Sequence, residues 1–553
     1  MKKAIFCLTA TALAIVVNIG LWAWLGRVVT LPDVPDAHFD CLSYTAFEIG
    51  SDPRLEKDHV SAATLDADMK ALRPLTNCLR LYSSMGSAPD VLAVAERYGF
   101  HILLGIWISS NEKSNAEQVA AALALTARYP ETIKLLVVGN EVLLRRDLPA
   151  SRLITLINSV RAQSPVPVAY AEVYDFWMLY PDVAKSVDTL LVHILPYWGD
   201  PAPDVSKAIG QLHRELKKFI SAFPDKKIML GETGWPSVGP SRGAAHASRV
   251  DEARFIRGFI QEAHRLGVQY NLIEALDQPW KRADEGTAGG YWGLLTAERE
   301  QKFPLTGPVS EWPQWRILAG IAVLLGLLMG SIATFRATTT CRLFPVALSA
   351  QALGTVLLVG FCYAKDVVLG WLAAGLYCGA WLLTLLTGLA ILDFFARGMR
   401  AWVAEKPAPL RNIFRAIGQC AGDGAARRRI TGLLSNNATQ ISSLHFAVAF
   451  PVAALTLTLA VSARHRDVPD IFLLVPAAFS LILGWINWRH RSLVRGAEEA
   501  WLALLMLTSA VFAWWALGCS VESTVWSVAV LLLAAPWLAS LIALFRRPQP
   551  ARQ

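Results

Sequence analysis

The chain has 553 residues, a formal net charge of +8 and a mean hydropathy of +0.38. Only 17% of residues are charged, against about 25% in soluble domains, which argues against a chain that is soluble throughout. The basic excess lies largely in short segments between apolar runs, where bilayer orientation accounts for it better than nucleic acid does. Residues 31–310 read as a soluble domain, and 311–553 as a series of long apolar runs. The eight cysteines do not form a disulfide framework. Cys41 and Cys78 fall in the soluble part on strands expected to be neighbours. A bridge is open to them, with two buried thiols the expected state. No Cys/His spacing marks a metal site, and no metal or cofactor is expected.

In chain order, Met1-Lys2-Lys3 precedes an apolar stretch from Ala4 to Leu25, long enough at roughly 20 residues to cross a bilayer. Residues 1–30 are therefore expected to be an uncleaved signal anchor, with a cleaved signal peptide as the alternative. From there to about Leu305, short runs rich in Val, Ile, Leu and Tyr alternate with amphipathic helical patterns. Strands are expected near Cys41–Phe47, Cys78–Ser83, Ile102–Ile108, Ile133–Asn140, Val166–Ala171, Thr189–Leu195, Lys227–Gly231 and Tyr270–Ala275. Ser114-Asn115-Ala116-Glu117 has the form of a capping box, and Asp204–Phe223 and Val250–Leu266 are the clearest other helices. This alternation predicts an α/β fold, a (β/α)8 TIM barrel over 31–310. A doubly wound open sheet competes, but no Gly-rich phosphate loop follows the first strand.

After Pro313, apolar runs at about 317–335, 344–363, 367–392, 446–463, 469–487, 497–517 and 523–545 predict an all-α membrane domain over 311–553. With the first anchor that makes eight spans. If Lys2 and Lys3 are cytoplasmic, the loop 393–445 and most other Arg-rich segments fall on the cytoplasmic side, as the positive-inside rule requires. The barrel then lies outside, in the periplasm of a bacterial inner membrane. The spans hold no ionisable residue near their centres, which counts against an ion-coupled transporter.

Two stretches end in a glutamate at a predicted strand end: Val137-Val138-Gly139-Asn140-Glu141 and Leu230-Gly231-Glu232-Thr233-Gly234-Trp235-Pro236. Either glutamate alone serves equally well as a structural cap. Together, at the catalytic end of one barrel, they are the minimum equipment for cleaving a glycosidic bond. Other strand ends bring aromatic and polar groups that suit sugar: Ser43-Tyr44, Arg80-Leu81-Tyr82, Glu172 to Trp177, His193 to Trp198, Glu274 to Lys281 and Gly290 to Leu294.

On these motifs, residues from about Asp40 to Leu305 resemble glycoside hydrolase family 17, the β-1,3-glucanases and β-1,3-glucanosyltransferases. The carriers are Val-Gly-Asn-Glu at 138–141, Gly-Glu-Thr-Gly-Trp-Pro-Ser at 231–237, Pro-Tyr-Trp at 196–198 and Glu-Ala-Leu-Asp-Gln-Pro-Trp-Lys at 274–281. The likeness is strongest to bacterial membrane-bound members, among them rhizobial proteins implicated in making β-(1,3),(1,6)-glucans. It implies retaining chemistry, with Glu141 as acid/base and Glu232 as nucleophile. Asn140 would bind the sugar 2-hydroxyl, Tyr197 would orient the nucleophile, and Arg80 would compensate its charge or form a structural ion pair. Tyr44, Glu274 and Lys281 would be cleft residues. Trp198, Trp235, Trp280 and Trp292 would be sugar platforms, about half of them core instead. Glu172 and His193 follow the bacterial pattern, with a hydrogen-bonded wall residue as the alternative for His193.

The expected activity is a membrane-anchored β-glucanosyltransferase that elongates or β-1,6-branches β-1,3-glucan. A tethered endo-β-1,3-glucanase is the alternative, and a non-catalytic glucan sensor or export partner is the alternative of another class. The expected partners are a β-1,3-glucan or gluco-oligosaccharide, the lipid bilayer and a candidate glucan synthase, with no nucleic acid.

Overall fold

The computed structural model describes residues 2–34, 38–54, 60–398, 437–461, 467–490, 497–517, 520–538 and 541–542. The chain divides into two compact units, Val28–Glu311 and a second made of Met1–Arg27 with Trp312–Gln553.

The first unit is a closed barrel of eight parallel strands. They are β1 (Leu42–Ser43), β2 (Cys78–Leu81), β3 (His101–Ile106), β4 (Ile133–Asn140), β5 (Val168–Val173), β6 (Thr189–His193), β7 (Lys227–Thr233) and β8 (Gln269–Leu272). A helix follows each strand, so the (β/α)8 expectation is met. The helix Val205–Ala222 shows why: Asp204 caps it by accepting the Ser206 amide. Val205, Ala208, Leu212, Leu216 and Phe219 recur at helical spacing and bury one stripe against the barrel. One expected helix start moves. The helix begins at Glu112, and Asn111, on extended backbone, accepts the Ser114 amide. The expected cap, Ser114, therefore lies inside the first turn; Asn115 is buried and bonds back to Ser109.

Strand alternation splits the core in two. Leu103, Leu135, Val137, Ala169, Ala171, Leu191 and Met229 fill the barrel interior together with Cys41 and Cys78. Ile102, Leu104, Ile106, Val138, Leu190 and Leu230 face outward into the larger core under the helices. Cys41 and Cys78 are joined in a disulfide, which corrects the expectation of two thiols. The parallel pairing of Leu42 with Leu79 and Ser43 with Arg80 sets the two cysteines side by side on the same face.

The second unit is helical. Among the described residues, seven helices are long and apolar enough to cross a membrane: Ala4–Leu25, Trp315–Thr334, Thr340–Val367, Gly370–Arg397, Ser442–Leu459, Asp470–Asn487 and Glu498–Ala516. The eighth expected span, 523–545, is a shorter apolar helix, Val521–Trp537, and its end lies outside the described residues. Most of the expected cytoplasmic loop 393–445 also lies outside them. Within this unit the N-terminal helix is tied in by polar contacts. Asn18 Nδ2 donates to Gln351 Oε1 at 2.7 Å, and the Thr355 hydroxyl donates to Asn18 Oδ1 at 2.7 Å.

Candidate active site

Two irregularities in the barrel wall aim the site. Strict alternation from Met229, which points inward, would turn Glu232 outward. Between β6 and β7, however, Val192 pairs with Leu230 and His193 with Glu232, so one extra residue, Gly231, is taken up on β7. Such a bulge rotates the side chains beyond it to the other face, and Glu232 turns into the barrel. Gly231 fits because a Cβ there would lie 2.8 Å from the His193 ring. A similar shift occurs on β4, where Val137 pairs with Ala169 but Asn140 with Ala171. Gly139 and then Glu141 take positive φ, 90° and 53°. For glutamate that left-handed backbone is uncommon and costs energy, a strain concentrated at functional sites. The Glu141 amide donates to Ala171 O at 2.8 Å and fixes the turn.

The inward side chains then meet. One oxygen of Glu141, one of Glu232 and a ring nitrogen of His193 lie within 4.8 Å of one another. His193 Nδ1 is 2.8 Å from Glu141 Oε1, and its Nε2 is 3.6 Å from Glu232 Oε1. Beneath them Arg80, 1% exposed, donates from Nη1 to Gly231 O (2.8 Å) and Glu232 Oε1 (3.2 Å), and from Nη2 to Asn140 Oδ1 (2.6 Å). This guanidinium supplies the positive charge that three such close ligating groups would otherwise seek from a metal ion. Arg80 thus orders both strand-end glutamates, Glu232 directly and Glu141 through its neighbour Asn140.

The phenol that meets Glu232 is Tyr82, not the expected Tyr197. Asn271 Nδ2 donates to Ser43 Oγ (2.7 Å), the Ser43 and Tyr82 hydroxyls are bonded (2.8 Å), and Tyr82 donates to Glu232 Oε1 (2.9 Å). This chain crosses the barrel from β8 through β1 and β2 to β7. Burial, with the Glu232 charge second, pushes the Tyr82 phenol well up, so it stays a donor. Ser43 and Tyr82 were expected only as strand-end groups suited to sugar, with no role assigned, and Asn271 was not among the expected site residues. Residues 78, 80 and 82 share one face of β2, and that spacing was the available signal for Tyr82.

For Glu141, burial pushes the pKa up. The hydrogen bond and charge of His193, followed by the charges of Arg145 and Arg80, outweigh burial and leave it below the usual carboxylate range. Just beyond β8, burial raises Glu274 to about 7 against the opposing charge of Lys281, whose Nζ donates to Glu274 Oε2 at 2.8 Å.

Several expected site residues stand elsewhere in the wall. Glu172 faces out of the barrel and accepts from the Leu143 and Leu144 amides (3.1 and 3.3 Å) and the Tyr170 hydroxyl (2.5 Å). It holds the turn that follows Glu141 rather than lining the cleft. The Tyr44 hydroxyl donates to Asp68 (2.6 Å) on the helix Ala62–Leu72. Tyr197 donates to Pro240 O. Trp235 is fully buried, donates to His246 O (2.7 Å) and stacks on Phe255. Trp292 is buried and stacked on the half-buried Trp198 with centroids 6.0 Å apart. Trp280 is half-buried, with the Arg54 guanidinium 5.1 Å from its ring centre.

A parallel barrel with two carboxylates converging from β4 and β7 is the apparatus of a glycoside hydrolase. Residues 41–293 match the family model for the BtgE/BtgC glycoside hydrolase domain. A glucan 1,3-beta-glucosidase of Schizosaccharomyces pombe is 29% identical over 43% of this chain and 79% of its own length. One from Arthroderma benhamiae is 28% identical over 44% and 83%. Among solved structures, a family 17 beta-1,3-glucanosyltransferase from Rhizomucor miehei is similar over 49% of this chain and 98% of its own, at 23% identity and a TM-score of 0.43. Residues 41–293 are thus similar to the BtgE/BtgC glycoside hydrolase domain, and the protein is a glycoside hydrolase or transglycosylase.

Proposed function

We propose that the protein is a membrane-anchored, retaining β-glucanosyltransferase that elongates or branches β-1,3-glucan outside the cytoplasm. The observation that carries the retaining assignment is the approach of the Glu141 and Glu232 carboxylate oxygens to within 4.8 Å. A retaining pair stands about 5–5.5 Å apart, whereas an inverting pair leaves room for water at about 6.5–9.5 Å. The substrate follows from relatives named glucan 1,3-beta-glucosidases.

In this reading Glu232, held by Arg80 and Tyr82, attacks the anomeric carbon. The C1–O bond breaks, and the proton on Glu141 passes to the departing oxygen. Glu141, now a carboxylate beside His193, takes the proton of the acceptor hydroxyl as that oxygen displaces Glu232. Asn140, Glu274, Lys281, Trp198 and Trp280 are the proposed sugar contacts.

Seven apolar helices support the anchor. The Cys41–Cys78 disulfide supports an oxidising compartment for the barrel, such as the periplasm. Arg336, Arg342, Arg397 and Arg489 fall at helix ends that the positive-inside rule assigns to the cytoplasm. A barrel held at the membrane is well placed to remodel nascent glucan made by a synthase. The relatives' names favour a second reading, a tethered β-1,3-glucanase.

The test is product analysis of the detergent-solubilised protein with reducing-end-labelled β-1,3-gluco-oligosaccharides, by mass spectrometry and NMR. Products longer than the substrate are expected, and 1,6 linkages among them would identify branching. Exclusively shorter products would overturn transfer in favour of hydrolysis.

A further inference from the structure

We propose that Trp107, with Arg145 laid against its ring, is a sugar-stacking platform on the glycone side of the catalytic pair. The inference rests on the β-glucan reading above and adds a substrate-binding residue to it.

Trp107 directly follows β3, whose alternation is fixed by burial. Leu103 lies in the barrel interior, while Ile102, Leu104 and Ile106 pack outward. Continuing that alternation, position 105 is inward and Trp107 is the next inward side chain, at the mouth of the barrel. At position 105 a Cβ would lie 2.4 Å from Leu81 O, so glycine is required and β3 itself places no side chain between Leu103 and the indole. The tryptophan is 37% exposed, whereas Trp177, Trp235 and Trp292 are 1%, 0% and 4% exposed. A large aromatic left open at the cleft mouth suits the apolar C–H face of a sugar ring.

Its support is rigid. The Arg145 guanidinium lies 4.3 Å from the Trp107 ring centre. It is pinned by Ile108 O (2.6 Å), by Asp147 Oδ2 (2.8 Å from Nε) and by Asn140 O. With its donors committed to these acceptors, Arg145 serves as a backing plate for the indole and links it to the residue that precedes Glu141.

The position of Glu141 sets the side. Its carboxylate turns to His193 on β6, at 2.8 Å. The acid protonates the departing oxygen, so the leaving group exits towards β6. The strand β3 lies on the opposite flank of β4, which puts Trp107 on the side of the sugar that becomes bonded to Glu232.

A glycone platform is needed equally by hydrolysis and transfer, because both pass through the same glycosyl intermediate. Trp107→Ala and Trp107→Phe are compared with wild type in the full-length solubilised protein, using labelled β-1,3-gluco-oligosaccharides. Trp107→Ala is expected to lower kcat/KM by about tenfold or more, with the ratio of transfer to hydrolysis products unchanged. Trp107→Phe, which keeps a ring under Arg145, is expected to lose less and to melt like wild type. It carries the test should the alanine variant fail to fold. Unchanged kcat/KM in both variants, or a changed product ratio at constant kcat/KM, would overturn the assignment while leaving the glucan reading intact. An inactive wild type would sink both together.

Discussion

His193 is the side chain through which the two glutamates sense one another. It is buried, lies 2.8 Å from Glu141 and 3.6 Å from Glu232, and has Arg80 Nη1 3.4 Å from its Nε2. Its contact is the largest of the effects that pull Glu141 below the usual carboxylate range against burial. That favours the ionised form, which the second half-reaction of the proposed mechanism needs as base. It also narrows the pH range in which Glu141 holds the proton needed for the first. His193→Asn removes that pull, so the Glu141 pKa rises. The acid form then persists to higher pH, and the basic limb of the kcat/KM profile is expected to move up. A limb that stays in place, or moves down, would show that another group sets it. Of this site, Glu141, Glu232 and Arg80 were legible as residues in the sequence. The Tyr82 contact was not, because it depends on how β2 and β7 face each other across the barrel.

Among the elements, β1 is the weakest part of the closure. It is two residues long, and only Leu42 pairs with β8, opposite Leu272. Yet it carries Ser43, the middle of the hydrogen-bond chain that ends on Glu232. The Cys41–Cys78 bridge fastens this strand to β2 one step below Ser43 and Arg80. Closing a loop of 37 residues restricts the unfolded chain by about 4 kcal/mol in the chain-entropy account. The double variant Cys41→Ser, Cys78→Ser is expected to lower the barrel's melting temperature, as is reductant on wild type. Reductant should leave the variant's melting temperature unmoved. Equal melting of variant and wild type would mean that the seam does not need its fastener.

For the molecule as a whole, the decisive feature is that its N-terminal helix is bonded into the helical unit. Asn18 sits between Gln351 and Thr355, and Trp22 is fully buried. A polar side chain in an apolar helix needs such partners, and a cleaved signal peptide would take the Asn18 amide from Gln351 Oε1 and the Thr355 hydroxyl. The mature protein is therefore expected to retain residues 1–30, checked by intact mass or N-terminal sequencing. Asn18→Val is expected to lower stability in detergent by about 1–2 kcal/mol, in line with interhelical hydrogen bonds in membrane proteins. A mature chain that begins near residue 30 would refute the anchor.

The sequence by itself determined the order and approximate position of the barrel strands and helices, that the two glutamates stand at two strand ends, and seven of the eight expected runs apolar enough to span a bilayer. These are properties of local periodicity, written in neighbours two, three or four residues apart. Tertiary structure decided which side chains meet. The extra residue Gly231 on β7 turns Glu232 inward, against the two-residue alternation, and a bulge is visible only against the partner strand. The same holds for Glu172, which looks like a cleft residue in line but faces the outer wall, and for Cys41 and Cys78, whose bridge depends on the parallel register of β1 with β2. Each of these outcomes comes from closing the sheet into a barrel, where contacts between residues far apart in the chain override what either stretch prefers alone.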